Sequence, residues 1–332
     1  MAGPKPANAY SLRRFIIPAL FLGLVFAGYF RGRGESELVT ELAGDTMGTT
    51  WNVKVVGDHA DFGPQIQVVL DSVDRDLSTY KPDSKLSLWN AGGSWTVQDA
   101  YRPLFETSAE LSRLSGGAFD ITVRPLVALW GFGAGAYTEA PSKKSVDDVV
   151  FGWERVGFDD QGRLLKDDPA IQVDLSAIAK GFAVDRVAMT LDLLGPEGFM
   201  VEVGGEVRTS GTKHGQPWRI GIERPDEEGR VAQTVLELDG SLATSGDYRQ
   251  YIEDDTGRRS HTIDPRTRLP IAHNLASVSV LADSCMLADA WATTLNVLGP
   301  DDGIALANQQ GLAVLMLVRT DEGFEERRSD SW

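Results

Sequence analysis

The chain has 332 residues, 42% of them hydrophobic, and a formal charge of −16. Of the 32 basic residues five (Lys5, Arg13, Arg14, Arg31, Arg33) lie within residues 1–34, which hold no acid, so the other 27 face all 48 acids and leave the body at −21. A body that acidic excludes nucleic acid as a partner, and the single cysteine, Cys285, excludes an intrachain disulfide or a cysteine-ligated metal.

Residues 15–30 are almost wholly apolar and follow Arg13-Arg14. A basic stretch before an apolar one is the pattern of an export signal, and Ser11-Leu-Arg-Arg-Phe-Ile loosely fits twin-arginine export. Sixteen residues fall short of the ~20 that a membrane span needs, and no clean Ala-x-Ala cleavage site follows. Residues 1–34 are therefore expected to be a signal peptide or a membrane anchor. The body, residues 35–332, is expected outside the cytoplasm, in the periplasm. No cysteine follows the apolar run, which excludes lipid attachment there.

Residues 36–44 read as a polar linker. Thr46 to Val56 alternates as a strand opened by Met47-Gly48. Ile66, Val69, Leu70, Val73 and Leu77 recur at helical steps, giving a helix over 65–77. A polar loop carrying Tyr80 leads into a short element ending at Asn90, and Tyr101 to Leu114 is a second amphipathic helix stopped by Ser115-Gly-Gly. Residues 138–150 read as a connector. Ile171-Gln-Val-Asp174 reads as a short strand, followed by a tight turn and a helix with Ile178, Phe182, Ala188, Leu191 and Leu194 on one face; Gly195-Pro196 ends it. Val201 to Ser210 reads as a strand with a glycine bulge, and the runs around 218–223, 235–238 and 242–248 continue a largely antiparallel region. His261 to Pro265 is a strand ending in a turn, Ala276 to Leu281 a strand, Met286 to Leu298 a helix and Gly311 to Arg319 the closing strand. Intermixed helices and strands point to an α+β fold.

Two stretches suggest chemistry. Asp174 and Lys180 flank a junction at a helix mouth, where outward backbone N–H groups suit an anionic or nucleotide ligand; the plainer alternative is a structural unit with Asp174 as the helix cap. Asp289 and Thr293 are four apart and share a helix face. One carboxylate, one hydroxyl and a backbone carbonyl make a poor calcium cage but suit magnesium, which keeps waters and takes other ligands from a substrate phosphate; the plainer alternative is a cap acid and a surface threonine. His261 is a candidate base or a packed residue, Asp264-Pro265 a turn initiator, and Cys285 a small buried residue. The phosphate loop GxxxxGK[ST], a GxGxxG after a strand, GxSxG and HExxH are all absent.

Eight runs occur in one order: Met47-Gly-Thr, Ser78-Thr-Tyr-Lys, Gly117-Ala-Phe-Asp-Ile-Thr, Asp174-Leu-Ser-Ala-Ile-Ala-Lys-Gly, Glu202-Val-Gly-Gly-Glu, Ala243-Thr-Ser-Gly-Asp-Tyr, His261-Thr-Ile-Asp-Pro and Ala288-Asp-Ala-Trp-Ala-Thr. Together they resemble the FAD:protein FMN transferase (ApbE-type) family over about residues 40–318. The resemblance implies one catalytic body of mixed, largely antiparallel sheets and packed helices. It implies an enzyme that takes FAD, holds its pyrophosphate on Mg2+, moves FMN onto a Thr or Ser of a partner flavoprotein and releases AMP. By the matching positions, Met47, Tyr80, Ala118, Phe119, Asp120, Asp174, Lys180 and Ile263 would surround FAD. Ala177 (through its carbonyl), Asp289 and Thr293 would hold magnesium, and His261 would sit by the transferring phosphate as the base, with a magnesium-bound carboxylate or Asp264 as the runner-up. Many relatives carry a second aspartate three residues after the magnesium aspartate, where this chain has Ala292. The acceptor implied is a subunit of a membrane electron-transfer system. A flavin carrier without chemistry and an FAD pyrophosphatase giving FMN and AMP are the alternatives.

Overall fold

Trp51, Val53 and Val55 alternate along Thr49–Val56 and are all buried, so this segment is a strand, β2, paired antiparallel with β1, Val39–Thr46. The computed structural model describes residues 38–133, 141–225, 232–246, 251–254 and 257–332. The expected signal or anchor at 1–34, the first three residues of the expected connector at 138–150, and Asp247-Tyr248 lie outside the described residues. Met47 and Gly48, with φ of 48° and 72°, are the two-residue turn between β1 and β2, because two left-handed residues match the twist of a tight hairpin. Most of the segment expected as a linker is thus a strand at the sheet edge, whose outward polar residues disguise it.

The helices follow: α1, Gly63–Leu77; α2, Lys85–Asn90; α3, Arg102–Leu114; α4, Arg124–Leu129; and α5, Lys143–Asp147, inside the expected connector. Ile66, Leu70, Val73 and Leu77 of α1 are buried, as their spacing requires. A small hairpin pairs β3, Val156–Phe158, with β4, Leu164–Lys166. Next comes α6, Ala179–Leu194, ended by Gly195 in the left-handed region at φ 76°. Strands β5, Gly198–Val203, and β6, Glu206–Gly211, form a hairpin closed by Gly204 and Gly205, both at positive φ. The glycines expected to make a bulge make a turn instead.

Strand β7, Trp218–Glu223, pairs with β8, Ala232–Leu238; β9 is Gly240–Gly246. Two further short hairpins pair β10, Tyr251–Asp254, with β11, Gly257–Ser260, and β12, Ile263–Asp264, with β13, Leu269–Pro270. The chain ends with β14, Leu275–Ala282; α7, Cys285–Leu298; α8, Pro300–Gln310; β15, Ala313–Thr320; and β16, Gly323–Arg328, a strand beyond the one expected to close the fold. The main sheet is antiparallel in the order β1-β2-β5-β6-β9-β14-β15-β16. Side chains alternate across it: Ala243, Val278, Val280, Val314 and Met316 join the main core with α6 and α7, while Val207, Leu242 and Leu315 pack against Ile220, Ile222 and Leu238 of the β7–β8 hairpin. The fold is α+β. Among the described residues no helix is long and apolar enough to cross a membrane.

Candidate active site

The site is built where α6 crosses α7. A Cβ on Gly181 would lie 2.2 Å from the Cys285 carbonyl oxygen and 2.8 Å from Asp289 Cβ, so only glycine permits the approach. Each helix then supplies an acid to the other's start. Asp289 Oδ2, on α7, accepts the Gly181 N–H at 2.9 Å. Asp185, on α6, accepts from the backbone N–H groups of Cys285 at 3.0 Å and Met286 at 2.9 Å and from the Ser284 hydroxyl at 2.8 Å. Arg208 of β6 donates to Asp185 at 2.6 Å, tying both helices to the sheet. Burial pushes the Cys285 thiol well above its ordinary value, so Cys285 is a packing residue, as expected.

The run 171–174, expected as a strand, joins no ladder. Its backbone is satisfied otherwise: Asn90 accepts from the Val173 N–H and donates to the Val173 carbonyl, both at 2.8 Å, and the Asp174 N–H donates to Ile121 at 2.7 Å. Alternation in that run reflects burial of Ile171 and Val173 rather than pairing. Asp174 does not cap α6; its Oδ1 accepts from the Ser176 N–H in a local turn. The N–H that a regular helix would direct from Gly181 to the Ala177 carbonyl goes to Asp289 instead. No hydrogen bond among the described residues ends on that carbonyl.

A cavity of about 780 Å³ opens over this junction, and eleven of the twelve expected residues line it: Tyr80, Ala118, Phe119, Asp120, Asp174, Ala177, Lys180, His261, Ile263, Asp289 and Thr293. Met47 is the exception, in its hairpin turn. Tyr80 is 71% exposed at the rim, held there by the Ser78 hydroxyl, which accepts from the Tyr80 and Lys81 N–H groups. Asp120 is buried and accepts from the Thr122 N–H and hydroxyl and from the Trp153 N–H at 2.7, 2.6 and 3.1 Å. Burial outweighs those bonds and pushes its carboxyl above the usual value. The His261 ring stands edge-on to Phe132, with centroids 6.4 Å apart. Asp264 does not line the cavity and is clamped by Arg266 at 2.9 and 3.0 Å, so of the two candidates in that run His261 alone faces the cavity.

Among the polar groups that sequence reasoning missed, two are almost wholly buried at the cavity wall. Glu206, which follows the Gly204-Gly205 turn, is paired with Lys180, whose Nζ is also 3.7 Å from Asp289 Oδ1. Asn296 lies one turn beyond Thr293 on α7. Both line the cavity, both are at least 98% buried, and Glu206 Oε2 and Asn296 Oδ1 have no hydrogen-bond partner. Their burial is a product of the tertiary fold and leaves no trace in the motif itself. Ala292 is fully buried in the main core and does not line the cavity.

The donor set suits a hard cation. Asp289, Thr293 and the leftover Ala177 carbonyl offer oxygen only, around one cavity, with the Ser245 hydroxyl 3.1 Å from that of Thr293. No cluster of three His, Cys, Asp or Glu able to hold a metal occurs among the described residues, which suits an ion that keeps waters and takes oxygens from a substrate. These residues fit magnesium.

Known proteins resemble this chain over most of its length. The chain is 42% identical over 304 residues to the FAD:protein FMN transferase of Vibrio cholerae, covering 88% of this chain and 91% of that protein. It is 39% identical over 302 residues to the protein of the same name from Escherichia coli K12, covering 86% of each. The structure aligns with flavin transferase ApbE from Vibrio cholerae at a TM-score of 0.80 and 41% identity, over 89% of this chain and 98% of that one. It aligns with the flavinyl transferase ApbE of Pseudomonas stutzeri at 0.80 and 39%, over 89% and 95%. A model of the ApbE family matches residues 47–316, and the chain belongs to that family.

Proposed function

We propose that this protein transfers FMN from FAD to a Thr or Ser hydroxyl of a partner flavoprotein, with magnesium, releasing AMP. The observation that carries the reading is that Lys180, His261, Asp289 and Thr293 line one cavity, of about 780 Å³. That lies within the ~300–1,000 Å³ usual for small-molecule and cofactor pockets. The chemistry is displacement at phosphorus. The acceptor oxygen bonds to the FMN phosphorus as the bond from that phosphorus to the bridging oxygen breaks, and the acceptor proton passes to a base. His261 takes that role. Lys180 offers its ammonium to the pyrophosphate once released from Glu206 and Asp289. Tyr80, exposed at the rim, offers a flat face to an aromatic ring of FAD. Asp120 and Asp174 shape the wall by holding their loops. Asp289, Thr293 and the Ala177 carbonyl would hold the magnesium, which supplies neutralisation of charge developing on the phosphates.

Residues 1–34 act as the signal or anchor and 35–332 as the catalytic body, placed in the periplasm, where the acceptor is a flavoprotein subunit of a membrane electron-transfer system. The test incubates the protein with FAD, Mg2+ and an extracytoplasmic flavoprotein domain bearing a Thr or Ser acceptor. Flavin fluorescence that survives denaturation of the acceptor, with AMP formed in equal amount, supports the transferase. Free FMN and AMP without labelled acceptor would instead establish hydrolysis.

A further inference from the structure

Among the buried side-chain atoms that lack a hydrogen-bond partner, two belong to cavity residues, and one of these is Asn296 Oδ1. Asn296 is 1% exposed. Its backbone carbonyl is already engaged by the His273 ring at 2.8 Å, so the residue is fixed while its amide oxygen is left over. An unpaired buried amide is costly, and one on a residue that lines a cavity points to a water, ion or ligand that completes it.

Asn296 stands at the end of a row with Asp289 and Thr293, at steps of four and three, on one face of α7. The rise of an α-helix puts Asp289 and Asn296 about 10.5 Å apart along the axis. Each side-chain oxygen sits about 2.4 Å from its Cβ. With magnesium–oxygen bonds of about 2.1 Å, two such side chains on one ion span about 9 Å at most. Asn296 therefore falls short of an ion shared with Asp289, and one water of about 2.8 Å hydrogen-bond length closes the gap.

We propose that Asn296 is a positioning residue of the cation site: its amide oxygen accepts a hydrogen bond from a water on the divalent ion held by Asp289 and Thr293. The inference rests on the magnesium reading given above. Its partners recognise a hydrated, hard divalent cation and no particular flavin atom.

The test is Mn2+ titration of the full chain by electron paramagnetic resonance, with saturating FAD, alongside thermal melting of the metal-free protein. Asn296→Leu should weaken Mn2+ binding by roughly 10-fold or more, the usual effect of losing a group that orients a metal's ligand sphere. It should also raise the melting temperature of the metal-free protein by about 2 °C, because the unpaired amide is gone. Asn296→Asp, which still accepts from the water, should keep Mn2+ binding. A merely structural asparagine would behave oppositely, lowering the melting temperature and leaving Mn2+ affinity unchanged; that result overturns the proposal. If Asn296→Leu does not fold, Asn296→Ala, which adds no bulk, carries the same two readouts. Asp289→Asn must abolish Mn2+ binding in the same assay. Loss there with wild-type affinity in the Asn296 variants defeats this inference alone, whereas no Mn2+ binding by the wild type defeats the magnesium reading with it.

Discussion

Gly181→Ala tests the helix crossing on which the site depends. In an open helix the change would gain about 1 kcal/mol from propensity. Here the new Cβ would meet the Cys285 carbonyl oxygen at 2.2 Å, short by 0.8 Å of the 3.0 Å that real Cβ atoms keep. The obstacle is backbone, so α6 and α7 must separate. Overpacking of this kind costs about 1–3 kcal/mol. Separation also breaks the 2.9 Å bond from the Gly181 N–H to Asp289, a bond to a charged group worth about 1.5–3 kcal/mol. Net destabilisation of about 2–5 kcal/mol follows, a large share of the ~5–15 kcal/mol stability usual for a domain. Urea denaturation followed by tryptophan fluorescence reads it directly. A loss below about 0.5 kcal/mol, within the range of an ordinary surface change, would refute the claim that the crossing has no room.

Asp289→Asn and Asp289→Ala should separate cap from cation: both lose magnesium-dependent transfer, but only alanine loses the cap, at a cost of about 0.5–2 kcal/mol in denaturation. His261→Ala should slow transfer roughly 10²–10⁴-fold while FAD affinity, read by flavin fluorescence, stays within about threefold; equal losses would remove His261 as the base. Burial opposes ionisation of Asp76, but hydrogen bonds from Lys85 and Arg75 outweigh it and hold the carboxyl below its ordinary 3.8. Its stabilisation is therefore present above that ordinary value and lost as pH falls through the lower folded one. Asp76→Asn should lower stability at pH 7 and by progressively less as the pH falls below 3.8, and a loss independent of pH would contradict the pairing. Asp185→Asn should cut stability by about 1–3 kcal/mol by weakening its bonds to Arg208 and the start of α7.

Part of the site was legible in local signals, and the rest only through the family resemblance of its ordered runs. Asp289 and Thr293 share a face by helical spacing alone, and Gly195-Pro196 marks the end of α6, whereas the close crossing at Gly181 shows only in the fold. What escaped depends on contacts distant in sequence. The 171–174 run looks like a strand because Ile171 and Val173 are buried, yet its backbone is satisfied by Asn90, more than eighty residues away. β1 hides as a linker because an edge strand tolerates polar residues on its open side. Gly204-Gly205 permits a bulge or a turn, and only the pairing of β5 with β6 decides. Glu206 and Asn296 become notable only once the fold buries them without partners.

The central claim is magnesium-dependent attachment of FMN to an acceptor hydroxyl, and intact-mass spectrometry tests it most directly. The full chain is incubated with FAD and an extracytoplasmic flavoprotein acceptor domain, with Mg2+ or with chelator, beside the Asp289→Asn variant. The account predicts an acceptor heavier by one esterified FMN with Mg2+, and an unmodified acceptor with chelator or with the variant. Tight FAD retention with no modified acceptor under any condition would contradict it and make the protein a flavin carrier.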